Sequence, residues 1–475
     1  MAFNTFSYIV LFLPIVLLFL HLARLSKIQI LPQVSLLLAS VVFYAWSSTT
    51  NLAYLVGSIL ANWLLARSMT GVSESRRKHI LQLGLILNVG FLSVFKYLNF
   101  FIGAIPYLVQ HHIQVPNLGF PLGISFFTLA QIMYLVDCYE ELIPPSSFFD
   151  HATFVSFFPY VISGPISRAK RILHQFPSLN SRTGPSPETM ACAIYLFSLG
   201  LIKKVVLAAA FSQPADFGFS NIQSLSAVEA WTTLSSYTLQ IYFDFSGYTD
   251  MAIASALMLG IELPRNFDAP LRSKSIVEFW QRWHITLSGF ITTYLYTPIL
   301  TSFKQATLLK AAFATLIAMA IAGLWHGPSW NFVLFGVIHG VALAVNQFWR
   351  KKKMPKLPGR LSWLVTFAVI DLAFLFFRAP DLKSAIIFFP HLVGFNGVIG
   401  IENLRGVNGT GMVGLIFLLS QLIGTGAAFL GKTSDQLARE FKPTWTTYVA
   451  ASAYLLIAFL FINSNVGKPF VYFRF

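Results

Sequence analysis

Long apolar runs separated by short polar stretches organise this chain. They predict helices near residues 6–23, 31–46, 51–66, 80–101, 118–137, 189–211, 228–260, 307–325, 328–349, 361–378, 411–430 and 444–463. About 20 apolar residues at 1.5 Å per residue cross the roughly 30 Å of bilayer hydrocarbon. The expectation is an all-α polytopic membrane protein with roughly 11–13 transmembrane helices. No long polar insert separates the runs, so residues 1–475 read as a single integral domain.

Two stretches do not fit the pattern of a plain span. One is FVSFFPYVISGPISRAKR, with Pro159, Gly164 and Pro165; the other runs from Asn266 to Leu300. Irregular backbone at membrane depth must be buried in protein or line a wet cavity. Both read as re-entrant or interfacial pieces, and a re-entrant piece builds a site.

Composition agrees with the periodicity: 56% of residues are hydrophobic, 11% are charged and 47 are Phe. The net charge of +15 would suggest nucleic acid in a soluble chain, but here it fits basic cytoplasmic loops and no nucleic-acid partner. Arg67, Arg76, Arg77 and Lys78 mark one such loop; Arg350, Lys351, Lys352, Lys353, Lys356 and Arg360 mark another. Six predicted spans lie between the two loops, so they fall on the same side. Arg24 and Lys27 then place the N-terminus outside, and no cleaved signal peptide is expected. Cys138 and Cys192 form no CxxC pair and read as structural thiols.

Ten histidines are present. His21, His79, His111, His112, His151, His174 and His391 lie near run ends or in loops, where solvated or interfacial side chains explain them. His326 lies between two apolar runs in LWHGPSW, where Gly327 can end one helix and Pro328 begin the next. An intramembrane imidazole at a helix break is a functional hypothesis by default. His284 follows Trp283 in EFWQRWHITLS, where Glu278 and Arg282 stand at ion-pair spacing. An amphipathic interfacial helix accounts for the same charges and tryptophans without giving His284 a task. His339, between Gly336 and Gly340, reads as helix packing with one interhelical hydrogen bond.

Asp244, Ser246, Tyr248 and Asp250 interrupt the run 228–260. The two carboxylates are six residues apart and do not share a helix face. They are expected to position a basic residue, Arg265 or Arg282, instead of forming an acid/base pair. Gln131, Tyr134 and Asp137 form a weaker polar group at helical spacing. No GxSxG elbow, HExxH, Walker loop or dinucleotide fingerprint occurs, so no metal site is expected and imidazole is the activated group in view.

At these residues the chain resembles the membrane-bound O-acyltransferase family. FPLGISFFTLAQIMYLVDCYE, FFPYVISGPISR, LQIYFDFSGYTDMAIASALMLG, FWQRWHITLSGFITTYLY and GLWHGPSWNFVLFGVIHG follow in the family's order. The opening FSYIVLFLPIVLLFLHL and closing GKPFVYFRF are similar to its bacterial branch, typified by the alginate O-acetyltransferase membrane subunit. That branch usually carries an Arg-Asp pair where Thr292 and Thr293 stand here, and Ser and Arg where Met133 and Glu140 stand.

The resemblance implies an acetyl group taken from cytoplasmic acetyl-CoA and passed across the membrane to a periplasmic SGNH-type partner that esterifies an exported polysaccharide. It implies His326 as the catalytic histidine and His284 as the second. Asp244, Ser246, Tyr248, Asp250, Arg282, Trp283, Trp325 and Asn331 are the expected binding or positioning residues, with Trp330 walling a polar passage beside Trp325. Arg265, Arg272, Lys274 and Arg282 would suit the phosphates of coenzyme A. The rival readings are a transporter or flippase of a lipid-linked sugar, and D-alanyl or protein acylation within the same family.

Overall fold

The computed structural model describes residues 1–46, 48–103, 105, 119–179, 184–398 and 411–463. His111, His112 and the closing GKPFVYFRF lie outside the described residues. All twelve predicted runs coincide with helices: α1 (Ser7–Leu25), α2 (Leu31–Ala45), α3 (Thr49–Ser68), α4 (Glu74–Gly103), α5 (Ile124–Tyr139), α7 (Pro187–Ser220), α8 (Ala227–Leu259), α11 (Leu308–His326), α12 (Trp330–Lys351), α13 (Gly359–Arg378), α15 (Gly411–Phe429) and α17 (Trp445–Asn463). Between them lie the shorter α6 (Phe148–Ser156), α9 (Ile276–Arg282), α10 (Ile285–Phe290), α14 (Leu382–Leu392) and α16 (Ser434–Arg439).

Eight of these helices are long and apolar enough to cross a membrane on their own. The other four predicted runs fall short for two reasons. α2 and α5 are only 15 and 16 residues long. α3 and α8 are long but more polar. α5 and the central part of α8 are buried in protein along most of their length, so lipid does not dictate their composition.

The chain divides into two compact units: Met1–Phe197 with Met251–Pro264, and Ser198–Asp250 with Arg265–Phe475. In the first unit, Tyr8, Phe12, Phe43 and Phe158 pack ring against ring, and the Tyr8 hydroxyl donates to Ser255 at 2.8 Å. Paired amides of Asn62 and Asn88 join α3 to α4. The first irregular stretch, residues 157–167, is buried throughout. Its backbone is satisfied from inside: Ser40 Oγ accepts the Phe158 N–H at 3.2 Å, and Phe157 C=O accepts the Val161 N–H at 3.1 Å. Gly123 is required beside it. Its φ is +74°, and a Cβ there would lie 2.6 Å from the Val161 carbonyl oxygen.

In the second unit, α11 and α12 form a closely packed antiparallel hairpin. A Cβ at Gly336 would lie 2.1 Å from the Met319 carbonyl oxygen, and one at Gly323 2.2 Å from that of Phe332. Small residues let the two backbones touch, the main means of helix association in lipid. The second irregular stretch folds as α9, α10 and a π-helical turn over Ile291–Tyr296. It is anchored by Trp363 Nε1, which donates to Leu271 C=O at 2.9 Å.

Gly336→Ala should separate the hairpin and lower the melting temperature in detergent by several degrees. Gly426→Ala, with nothing within 4 Å of its Cβ, should be neutral or slightly stabilising, since Ala exceeds Gly by about 1 kcal/mol in helices. Equal effects in a thermal-shift assay would refute the close-approach account.

Candidate active site

His326 is the last residue of α11. The helix stops because Gly327 turns extended, at φ −172° and ψ 158°. α12 then starts two residues later than Pro328 alone suggests. Ser329 is its N-cap and its hydroxyl accepts the Asn331 N–H at 3.1 Å. The His326 side chain is 5% exposed, and its ring meets Trp325, Phe335 and Phe377 at 5.0, 5.8 and 5.2 Å between centroids. Asn331 Nδ2 donates to Ala379 C=O at 2.9 Å, while its Oδ1 finds no donor among the described residues.

His284 is fully buried and sits between α9 and α10 with φ +43° and ψ +52°. A left-handed conformation costs a non-glycine residue about 1 kcal/mol or more. The hydrogen bonds around it fix its tautomer. Asn266 Oδ1 accepts the Thr286 N–H at 3.2 Å and the Thr286 hydroxyl at 2.9 Å, so that atom is the amide oxygen. His284 Nδ1, 3.2 Å from the same oxygen, must then be the donor. Nε2 is left with a bare lone pair and no protein partner among the described residues. Trp325 joins the two histidines: its ring lies 6.4 Å from that of His284 and 5.0 Å from that of His326.

The remaining expected residues divide into those near this pair and those elsewhere. Trp283 is buried against Phe267, Phe279 and Phe374. Arg282 pairs with Glu278 at 2.9 Å, as the i,i+4 spacing predicts. Tyr248 and Ser246 are buried on α8, and Ser246 Oγ has no partner among the described residues. Trp330 is 58% exposed and does not wall a buried site. His339 receives one interhelical hydrogen bond, from Trp280 Nε1 at 3.3 Å, in keeping with the packing role.

The carboxylates take different partners from those expected. Asp244 pairs with Lys204, and Asp250 with Lys203 at 2.8 Å; Ser434 Oγ also donates to Asp250 at 2.7 Å. Arg265 is held by Asp268 and Asp435, and Arg282 by Glu278. The two lysines open the π-helical turn Lys203–Leu207. Gly247 allows the approach, since a Cβ there would lie 2.6 Å from the Gly200 carbonyl oxygen. Lys203 and Lys204, two cations inside an apolar run, were the overlooked signal: a buried carboxylate needs an equally buried cation.

Two further expectations fail. His151 is fully buried beside Tyr134, with ring centroids 4.2 Å apart, instead of lying in a solvated loop. His391 is 4% exposed and its Nδ1 lies 3.1 Å from Leu225 C=O. Both occur near breaks in the hydrophobic pattern, but folding packs those breaks inside. Of the four residues suggested for coenzyme A phosphates, Arg265, Arg272 and Arg282 are engaged internally; Arg272 donates to Ala427, Ala428 and Gly431 carbonyls at the end of α15. No group of three or more potential metal ligands occurs among the described residues.

A multi-pass helical protein with a buried imidazole pair is the class these features define. Its family is set by comparison with known proteins. Residues 121–377 match the model of the membrane-bound O-acyltransferase family. The chain is 37% identical to a peptidoglycan O-acetyltransferase of Helicobacter pylori, over all of this chain and 98% of that protein. It is 30% identical to a probable alginate O-acetylase of Pseudomonas aeruginosa over the full length of both. A teichoic acid D-alanyltransferase of Streptococcus thermophilus is 27% identical over 54% of this chain and 68% of its own. The chain belongs to the membrane-bound O-acyltransferase family and is an O-acyltransferase.

Lys204→Met should take away the buried cation with which Asp244 pairs, costing about 3–5 kcal/mol. The double variant Lys204→Met/Asp244→Leu should recover most of that loss. Unfolding of both variants in detergent checks this, and a double variant as unstable as the single one would contradict it.

Proposed function

We propose that this chain moves an acetyl group from acetyl-CoA, supplied from the cytoplasm, across the bacterial inner membrane for O-acetylation of an exported cell-envelope glycan. A periplasmic SGNH-type partner completes the transfer, and the N-terminus lies on the periplasmic side. The observation that carries the reading is the His326–Trp325–His284 cluster, set at a helix break in a chain that matches an O-acetyltransferase along its whole length.

In this reading His326 is the general base. Its ring takes the proton of the acceptor hydroxyl as that oxygen attacks the thioester carbonyl. The C–S bond breaks, and the proton passes to the departing coenzyme A thiolate. His284 Nε2, with its bare lone pair, accepts a hydrogen bond from a second, neighbouring hydroxyl of the acceptor and so holds the attacking oxygen in line. Asn331 and Ser246 supply further neutral polar contacts to the reactants. Trp283 and Trp325 exclude water from the thioester, and the Asp244 and Asp250 pairs hold α8 in register. Among possible acceptors, peptidoglycan and alginate are those named for the relatives matched along their whole length.

His326→Ala should lower acetyl transfer from labelled acetyl-CoA in membranes by roughly 10²–10⁴-fold while the protein remains inserted. Label retained in glycan at the wild-type rate would remove His326 from the chemistry. Label passed to the acceptor from a D-alanyl donor, with none transferred from acetyl-CoA, would favour the D-alanyl alternative.

A further inference from the structure

A cleft of about 780 Å³ lies between α12 and α13 in the second unit, apart from the histidine pair. Its two ends differ in character. Val337, Val341 and Val345 on α12 face Val365 and Val369 on α13 along an apolar trough. Nine residues of α12 separate Val337 from Asn346, so the trough extends about 14 Å. Toward the connection between the two helices the lining becomes polar, with Asn346, Trp349, Lys356, Ser362 and, from the segment before α9, Lys274.

The polar end is cationic. Lys274 and Lys356 are exposed and make no ion pair among the described residues, and no Asp or Glu occurs between Glu278 and Asp371. The Lys274 ammonium lies against the start of α13: a Cβ at Gly359 would be 3.7 Å from its Nζ. Lys274 is itself held in place, since its N–H donates to Glu278 Oε2 at 2.8 Å and the next residue, Ser275, caps α9. Asn346 Oδ1 is buried and meets no donor among the described residues. Trp349 is the kind of residue found where hydrocarbon meets headgroups.

We propose that this cleft binds an anionic glycerophospholipid from the surrounding leaflet. One acyl chain fills the valine trough, and the headgroup phosphate sits between Lys274 and Lys356. A headgroup hydroxyl donates to Asn346. The two-carbon acetyl group of the proposed donor has no use for a 14 Å apolar trough, whereas a lipid tail does. An annular lipid with no seat would meet neither the concentration of cations at one end nor the cleft. The seat adjoins Ser275 and Ile276, the first residues of the element leading to Trp283 and His284.

Native mass spectrometry of the full chain in detergent, titrated with phosphatidylglycerol or phosphatidylethanolamine of the same acyl chains, tests this without reference to catalysis. Phosphatidylglycerol should bind roughly 30-fold more tightly, given about 1 kcal/mol for each of the two lysines at a lipid surface. Lys274→Gln/Lys356→Gln should abolish that preference and leave the tail contribution. Ala342→Phe, which fills the trough, should weaken both lipids. Equal binding of the two lipids by the wild-type chain, or an undiminished preference in the double lysine variant, would overturn the proposal. The lysine variant alters only exposed side chains, so it decides the matter even where Ala342→Phe fails to fold.

Discussion

Hydrocarbon offers no partner to a polar group, and that constraint orders this molecule. Every bend in the backbone and every buried charge must be satisfied by the protein itself. The irregular turn at 157–167 meets the demand through Ser40 and its own carbonyls. The carboxylates of α8 meet it through Lys203 and Lys204, and Asp371 through the Ser235 and Thr238 hydroxyls. Arg272 caps the carbonyls that end α15. Each solution ties distant parts of the sequence together, so helices that could not stay associated on apolar contacts alone acquire fixed registers.

Against that background, the break after His326 is a placed feature. A continuous helix would have carried the imidazole past its neighbours; ending at Gly327 leaves it at a terminus, with Phe377 and Phe335 closing on it. The left-handed backbone of His284 acts in the same way. It turns the chain sharply between two short helices, so that one ring nitrogen is committed to Asn266 and the other faces away from that bond. The strain is held by Thr286, by Ile285 N–H on Asn266 C=O, and by the Trp280–His339 bond one turn earlier.

Much of this was legible in the sequence because period and length dominate a membrane chain. All twelve apolar runs are helices, and the two stretches with prolines, glycines and charges are the irregular ones. The i,i+4 pair of Glu278 and Arg282 and the packing role of His339 were local, and local spacing suffices for them. The partners of Asp244 and Asp250 were not legible. They come from a π-helical turn carrying Lys203 and Lys204, and no hydrophobic period says which helix those lysines meet. His151 and His391 escaped for a related reason: a break in the apolar pattern marks a helix end but does not say whether that end meets solvent or protein.

The distribution of leftover polarity bears on what the second unit can do. Its buried carboxylates are each partnered, whereas the atoms without a partner among the described residues are neutral, Gln240 Oε1, Ser246 Oγ, Thr249 Oγ1, Asn266 Nδ2, His284 Nε2, Asn331 Oδ1 and Asn346 Oδ1 among them. A buried polar atom left without a partner costs about 1–3 kcal/mol, so a fold that keeps several of them suits reactants that are polar but not charged. A path for an ionic or phosphorylated cargo would need the opposite, uncommitted charge at depth. A thioester carbonyl and a hydroxyl are neutral reactants that exchange a proton and an acyl group. For the proposed reaction, a neutral surround favours that exchange over transport, because there the charge developing on the oxyanion is felt most strongly.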